Sequence, residues 1–167
     1  MKKLFSFMLT LVMLVACLSS TAFADELTPT VTVGTEMTAV PVTDSRVIEK
    51  GEGLLRAPSQ EYDLGSNGSI SLSIANFEAG QIRVTQYKYK TNSTKIKVSM
   101  KSDISISVKV TLYDASNDAQ LQQTTVTVGT LTYKTVTFSN LSSAKRYYMK
   151  FENLGQQEVN ITGSISA

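Results

Sequence analysis

Hydrophobic and polar residues alternate along most of the chain after the turn signal Asn67-Gly68. The segment 69–74 alternates serine with aliphatic residues, and Ile104–Tyr113 repeats the pattern over a longer stretch. A period of two places successive side chains on opposite faces of a β-strand. We therefore predict that Ile106, Val108 and Val110 are among the most buried residues of the fold.

Similar segments recur to the end of the chain, with short turns between them. They are 69–74, 81–90, 95–101, 104–113, 124–128, 132–139, 145–152 and 159–166. No segment after residue 24 shows a helical period. About eight short strands at this spacing predict an all-β fold, an antiparallel β-sandwich of the jelly-roll type.

The first 24 residues have the pattern of a bacterial export signal. Two lysines precede the apolar run Leu4–Leu18, and Ala22-Phe23-Ala24 places small residues before Asp25. We predict a signal peptide at 1–24, cleaved before Asp25, and a secreted protein. An alternative remains open, because Leu14-Val15-Ala16-Cys17 resembles the lipobox of lipoproteins that are anchored through an acylated cysteine.

Residues 25–68 differ from the remainder of the chain. Pro29, Pro41 and Pro58 interrupt this segment, and residues 49–53 are polar and glycine-rich. We predict a loosely ordered leader at 25–68 that could contribute one edge strand, near Thr30–Val33. The sandwich domain is then expected at 69–167.

Composition excludes several kinds of chemistry. The chain has no histidine, and its one cysteine lies in the predicted signal peptide, so Ser-His-Asp and Cys-His catalysis and ordinary zinc sites are excluded. Removing the two signal-peptide lysines leaves equal numbers of basic and acidic side chains, which gives no electrostatic basis for nucleic-acid binding. We expect no cofactor and no enzymatic activity.

Five lysines fall on two predicted strands that flank the turn 91–93. By strand alternation they lie on outer faces, opposite aromatic or aliphatic side chains. If the two strands form a hairpin, one surface collects Lys88, Lys90, Lys95, Lys97 and Lys101. Such a surface suits an anionic wall polymer or an acidic polysaccharide.

Each part of this candidate site also has an ordinary structural interpretation. Tyr87 and Tyr89 are candidates for stacking on sugar rings, but tyrosine is also a common strand residue that packs its ring in the core. Lysines on outer faces and edges prevent sheets from pairing edge to edge. The acidic leader is a further alternative, since it could lie against the lysines and neutralise them.

A weak metal candidate follows the predicted strand Ile104–Tyr113. Asp114, Ser116 and Asp118 offer oxygen atoms at alternate positions, as in the beginning of a calcium loop. The EF-hand pattern then fails, because Ala119 and Thr125 stand where glycine and glutamate are required. An Asx-type turn explains the same residues.

Three short motifs resemble the second half of bacterial pre-peptidase C-terminal (PPC)-type modules. They are Val110-Thr111-Leu112-Tyr113-Asp114, Thr137-Phe138-Ser139-Asn140-Leu141 and Tyr147-Tyr148-Met149-Lys150-Phe151-Glu152-Asn153. The resemblance spans roughly residues 81–166. It implies a β-sandwich of the kind appended to secreted enzymes, with a role in attachment to a surface or substrate.

Three functions are compatible with these patterns. The first is an exported, non-enzymatic binding module for cell-wall polymers or polysaccharides, with no membrane span after signal cleavage. The second is an accessory subunit that pairs with another protein through a sheet edge. The third is a small secreted hydrolase, because composition leaves carboxylate chemistry open.

Overall fold

The computed structural model of the chain describes residues 31–36 and 57–167, which form a sandwich of two β-sheets. The predicted signal peptide at 1–24, Cys17 and most of the predicted leader lie outside the described residues. Within the described part, no helix is long and apolar enough to cross a bilayer. The prediction of an all-β sandwich is confirmed.

The described residues contain eleven strands and one short helix. In chain order they are β1 (Val31–Glu36), β2 (Gln60–Asp63), α1 (Leu64–Asn67), β3 (Ile70–Phe77), β4 (Ile82–Val84), β5 (Tyr87–Lys90), β6 (Ile96–Ser102), β7 (Ile106–Asp114), β8 (Ala119–Val128), β9 (Tyr133–Phe138), β10 (Tyr147–Asn153) and β11 (Val159–Ser166). The first sheet has the order β1-β9-β6-β11-β3. The second sheet has the order β2-β5-β10-β7-β8, and β4 also pairs with β10.

The strand count exceeds the predicted eight partly because the segment 81–90 is divided in two. Thr85 separates β4 from β5: its hydroxyl donates to the carbonyl of Tyr87 (3.0 Å) and accepts from the Met149 amide (3.1 Å). A side chain thus takes the place of a backbone group in the ladder. The remaining difference comes from β1 and β2, and the pairing of β2 with β5 is parallel rather than antiparallel.

The core lies between the two sheets and is built from their inward-facing residues. On β7, Ile106 is 6% exposed and Val108 and Val110 are fully buried, which confirms the predicted alternation. Aromatic residues from β10 and aliphatic residues from β6 and β11 complete this core. Burial of so much apolar surface is the main source of stability in a domain of this size.

Asn153 links the two sheets through its fully buried side chain. From β10 in the second sheet, its Nδ2 donates to the carbonyl of Phe77 on β3 in the first sheet (2.7 Å). The same nitrogen donates to the carbonyl of Gln157 (2.9 Å), and Oδ1 accepts from the Gly155 amide (2.8 Å). Since a buried amide must find partners, this set of bonds fixes the turn that leads from β10 into β11.

Candidate functional site

The structure divides the five predicted lysines between the two sheets. Lys88 and Lys90 lie on β5 in the second sheet, whereas Lys97 and Lys101 lie on β6 in the first sheet. The predicted hairpin through 91–93 does not form, so the prediction of one five-lysine surface is wrong. The cause is a crossover at fully buried Thr91, whose hydroxyl accepts from the Ser93 amide (2.9 Å) and turns the chain towards the other sheet.

The two predicted stacking residues belong to the core. Tyr87 is 9% exposed and Tyr89 is 3% exposed, and both rings pack among the buried residues between the sheets. Burial raises the pKa of the Tyr89 hydroxyl. These tyrosines are therefore core residues, and their rings have no open face for a sugar.

Three of the lysines remain together on the outer face of the first sheet, and we call them the lysine stripe: Lys95, Lys97 and Lys101. They lie along or just before β6, which is the central strand of the sheet. Among the side chains that the structure describes, no carboxylate forms an ion pair with any of the three. Edge protection does not explain lysines on β6, because β9 and β11 cover both of its edges.

Hydroxyl groups flank the lysine stripe on both neighbouring strands. Lys97 lies between Thr137 on β9 and Ser166 on β11, and Lys101 lies opposite Thr162 on β11. Between the two lysines, the hydroxyls of Ser99 and Thr135 share a hydrogen bond of 2.8 Å, and both residues are buried. The surface therefore combines positive charge with groups that both donate and accept hydrogen bonds.

An aromatic ring borders the lysine stripe at one end. The ammonium nitrogen of Lys101 lies 5.0 Å from the centre of the Tyr133 ring. A cation held over an aromatic face at this distance is attracted by the ring quadrupole. The ring of Tyr133 therefore helps to position the ammonium group of Lys101.

Most cations on the outer face of the second sheet contact a carboxylate or an aromatic ring. Lys90 pairs with Asp63 at 3.2 Å, and Lys109 forms an ion pair with Glu152 on the neighbouring strand. The ammonium nitrogen of Lys150 lies 4.2 Å from the centre of the Tyr113 ring, and burial lowers its pKa. Lys88 is the exception, since none of the described carboxylates forms an ion pair with it.

Lys88 opens onto a pocket of about 300 Å³ at one end of the second sheet, which we call the end pocket. Its lining comes from β5, from the turn after β7 and from the loop before β10: Lys88, Asp114, Ala115, Ser116, Ala144, Lys145 and Arg146. Lys145 contacts Asp114 at 2.8 Å, and Arg146 contacts Glu61 at 2.9 Å. Sequence reasoning missed this site because its cations are separated by a long stretch of chain and share no local pattern.

The candidate calcium residues have other partners. Oδ1 of Asp114 accepts from the amide (2.9 Å) and hydroxyl (2.6 Å) of Ser116, and Lys145 contacts its other oxygen. Asp118 instead accepts from the amide of Ala57 (3.0 Å) and the hydroxyl of Tyr148 (3.1 Å). Among the described residues no group of three or more acidic, histidine or cysteine side chains could hold a metal ion. The local structure is the Asx-type turn.

Comparison with known proteins gives no family for the chain. No family model matches it, and no curated protein matches it. One similar solved structure comes from work on CBM4 structure and function, with 9% identity, a TM-score of 0.37 and coverage of 59% of this chain and 80% of that one. Another is a family 6 carbohydrate-binding module, with 16% identity, a TM-score of 0.37 and coverage of 66% and 97%. These are loose likenesses in shape, and they assign no ligand to this chain.

Proposed function

We propose that this chain is an exported, non-catalytic module that binds an anionic polysaccharide, such as an acidic cell-wall polymer, and that the lysine stripe is its contact surface. One observation carries the proposal. Three lysines run along the central strand of a sheet, and no described carboxylate is paired with them.

The sheet does not require lysine at these positions. Serine and threonine are equally compatible with the outer face of a strand. The neighbouring strands do carry hydroxyl residues at the paired positions, including Thr137, Thr162 and Ser166. A surface that concentrates positive charge in this way attracts ligands of the opposite sign.

The spacing of the stripe favours a polymer over a small anion. At about 3.3 Å per residue, Lys95 and Lys101 are separated by roughly 20 Å along the strand. This distance exceeds the Debye length of about 8 Å at physiological ionic strength, so one small anion cannot neutralise all three charges. An extended chain of repeating negative groups can contact each lysine in turn, and several weak contacts then act together.

The proposal is tested by retention on heparin resin at low salt, with uncoupled resin as the neutral control. The wild-type protein is expected to be retained, and the double variant Lys97→Gln/Lys101→Gln is expected to lose at least tenfold in affinity. The matched control Lys90→Gln/Lys109→Gln changes the net charge equally but removes lysines that are already paired with Asp63 and Glu152. Equal losses in both double variants would refute the stripe as the contact surface.

A further inference from the structure

The end pocket is a second cationic site, and it lies on the sheet that does not carry the lysine stripe. Its cations retain hydrogen-bond donors for a ligand. Lys88 has no ion pair among the described residues, and the Lys145 side chain is 52% exposed although it contacts Asp114. Arg146 donates from Nη1 to the carbonyl of Lys145 (3.1 Å) and pairs through Nε with Glu61. Its Nη2 makes no hydrogen bond within the described part of the chain.

The charges around the end pocket select for a ligand with one negative charge. Asp114 balances Lys145, and Glu61 balances Arg146, so that only the charge of Lys88 is left over. A single carboxylate neutralises this excess. A dianionic phosphate would instead leave negative charge beside Asp114, whose side chain is only 2% exposed and poorly screened by water.

The size and lining of the pocket limit the ligand to one small unit. A volume of about 300 Å³ is at the lower end of the range for small-molecule sites. The methyl groups of Ala115 and Ala144 offer a small apolar wall, and the hydroxyl of Ser116, which donates to Asp114, keeps its lone pairs as acceptors for a ligand hydroxyl. This combination fits a ring that carries hydroxyl groups and one carboxylate.

We propose that the end pocket binds a single monoanionic sugar acid, a uronic acid, with its carboxylate held by Lys88 and by the outward donors of Lys145 and Arg146. Charge-assisted bonds of this kind are stronger than neutral ones, and the planar guanidinium is well suited to a carboxylate. The site extends the proposed function to a second surface, and it does not depend on the lysine stripe.

The test is a titration of the purified protein with glucuronate, glucose and inorganic phosphate, followed by the amide NMR signals of Ala115, Ser116 and Arg146. Glucuronate is expected to shift these signals with saturation, whereas glucose is not. Lys88→Gln is expected to weaken glucuronate binding at least tenfold, and Lys97→Gln, in the lysine stripe, is expected to leave it unchanged.

Three outcomes would overturn the inference. Binding of glucose as tight as that of glucuronate would show that charge plays no part. Tighter binding of phosphate would refute the selection for one negative charge, and absence of saturable shifts would refute the site itself. Loss of heparin retention in Lys97→Gln/Lys101→Gln with normal glucuronate binding would separate the two sites. A melting temperature of Lys88→Gln equal to that of the wild type would show that any loss of glucuronate affinity is not due to misfolding.

Discussion

The carboxylate of Asp114 and the ammonium group of Lys145 are 2.8 Å apart, and the aspartate side chain is only 2% exposed. This contact ties the loop before β10 to the end of β7. We predict that Lys145→Met destabilises the fold, because it leaves a buried carboxylate without its cation. Chemical denaturation measures the loss. The control Lys90→Met breaks a more exposed ion pair and is expected to destabilise the fold less.

The same carboxylate makes stability depend on pH. Burial opposes ionisation of Asp114, but hydrogen bonds from Lys145 and Ser116 outweigh burial and lower its pKa in the folded state. A lowered folded-state pKa stabilises the protein above the unfolded-state pKa of about 3.9, and the contribution is lost as pH falls through the folded-state pKa. The stability advantage of the wild type over Asp114→Asn should therefore shrink below about pH 4. A constant difference down to pH 2 would contradict this account.

Gly163 marks the closest approach of β11 to β6. A β-carbon at this position would lie 1.8 Å from the carbonyl oxygen of Ser99 and 3.1 Å from the α-carbon of Met100. Both neighbours are backbone atoms of the central strand, so the clash cannot be relieved by a side-chain rotation. We expect Gly163→Ala to cost about 3 kcal/mol in thermal or chemical unfolding, at the upper end of the usual range for overpacking.

Gly129 provides the matched control for this substitution. Its nearest atoms to an added β-carbon are those of Ser105, at 4.0 Å, which is an ordinary contact distance. Gly129→Ala is expected to change stability by less than about 1 kcal/mol. Similar losses of stability in both variants would contradict the close approach of β11 to β6 at Gly163.

The amide of Asn153 should contribute strongly to holding the sheets together. Asn153→Ala removes three hydrogen bonds and leaves the buried carbonyl of Phe77 without its Asn153 donor. We predict a loss of about 2–4 kcal/mol on this basis. Asn117→Ala, which removes one exposed bond to the Ala119 amide, is expected to cost less than about 1 kcal/mol. Equal effects in denaturant titrations would argue against a link between the sheets.

Sequence periodicity predicted which face of a strand each residue occupies, but not which strand lies beside it. The alternation on β7 and the outward direction of Lys97 and Lys101 follow from local pattern alone. The separation of β5 from β6 depends on the burial of Thr91 and on a bond from the Leu141 amide to the carbonyl of Thr94 (2.9 Å), which joins segments far apart in the sequence. Pairing of distant segments is set by packing of the whole core rather than by any one window of sequence.

The end pocket is also assembled from distant segments, and for this reason no local sequence pattern predicts it. Lys88 lies on β5, whereas Lys145 and Arg146 precede β10, and only the pairing of these strands brings them together. No motif spans such a distance in the sequence. The sequence presented Asp114 as a turn residue and a candidate calcium ligand, and no local pattern showed that its buried carboxylate pairs with Lys145.

Export is a prediction from residues 1–24 and has a direct test. The intact mass of the protein recovered from culture medium should correspond to a chain that begins at Asp25, because Ala22-Phe23-Ala24 forms a signal-peptidase site. A diacylglyceryl-modified Cys17 in the membrane fraction would contradict this prediction and place the module on the membrane surface.

The central claim is that the lysine stripe binds anionic polysaccharide through charge, and the salt dependence of affinity tests it most directly. We predict that the Kd for heparin, measured by titration calorimetry, rises at least tenfold between 50 mM and 500 mM NaCl, roughly the range over which screening removes contacts between exposed charges. In Lys97→Gln/Lys101→Gln the affinity should be at least tenfold weaker, and its dependence on salt should be smaller than in the wild type. An affinity that does not change with salt in the wild type, or a salt dependence that is undiminished in the double variant, would contradict the account.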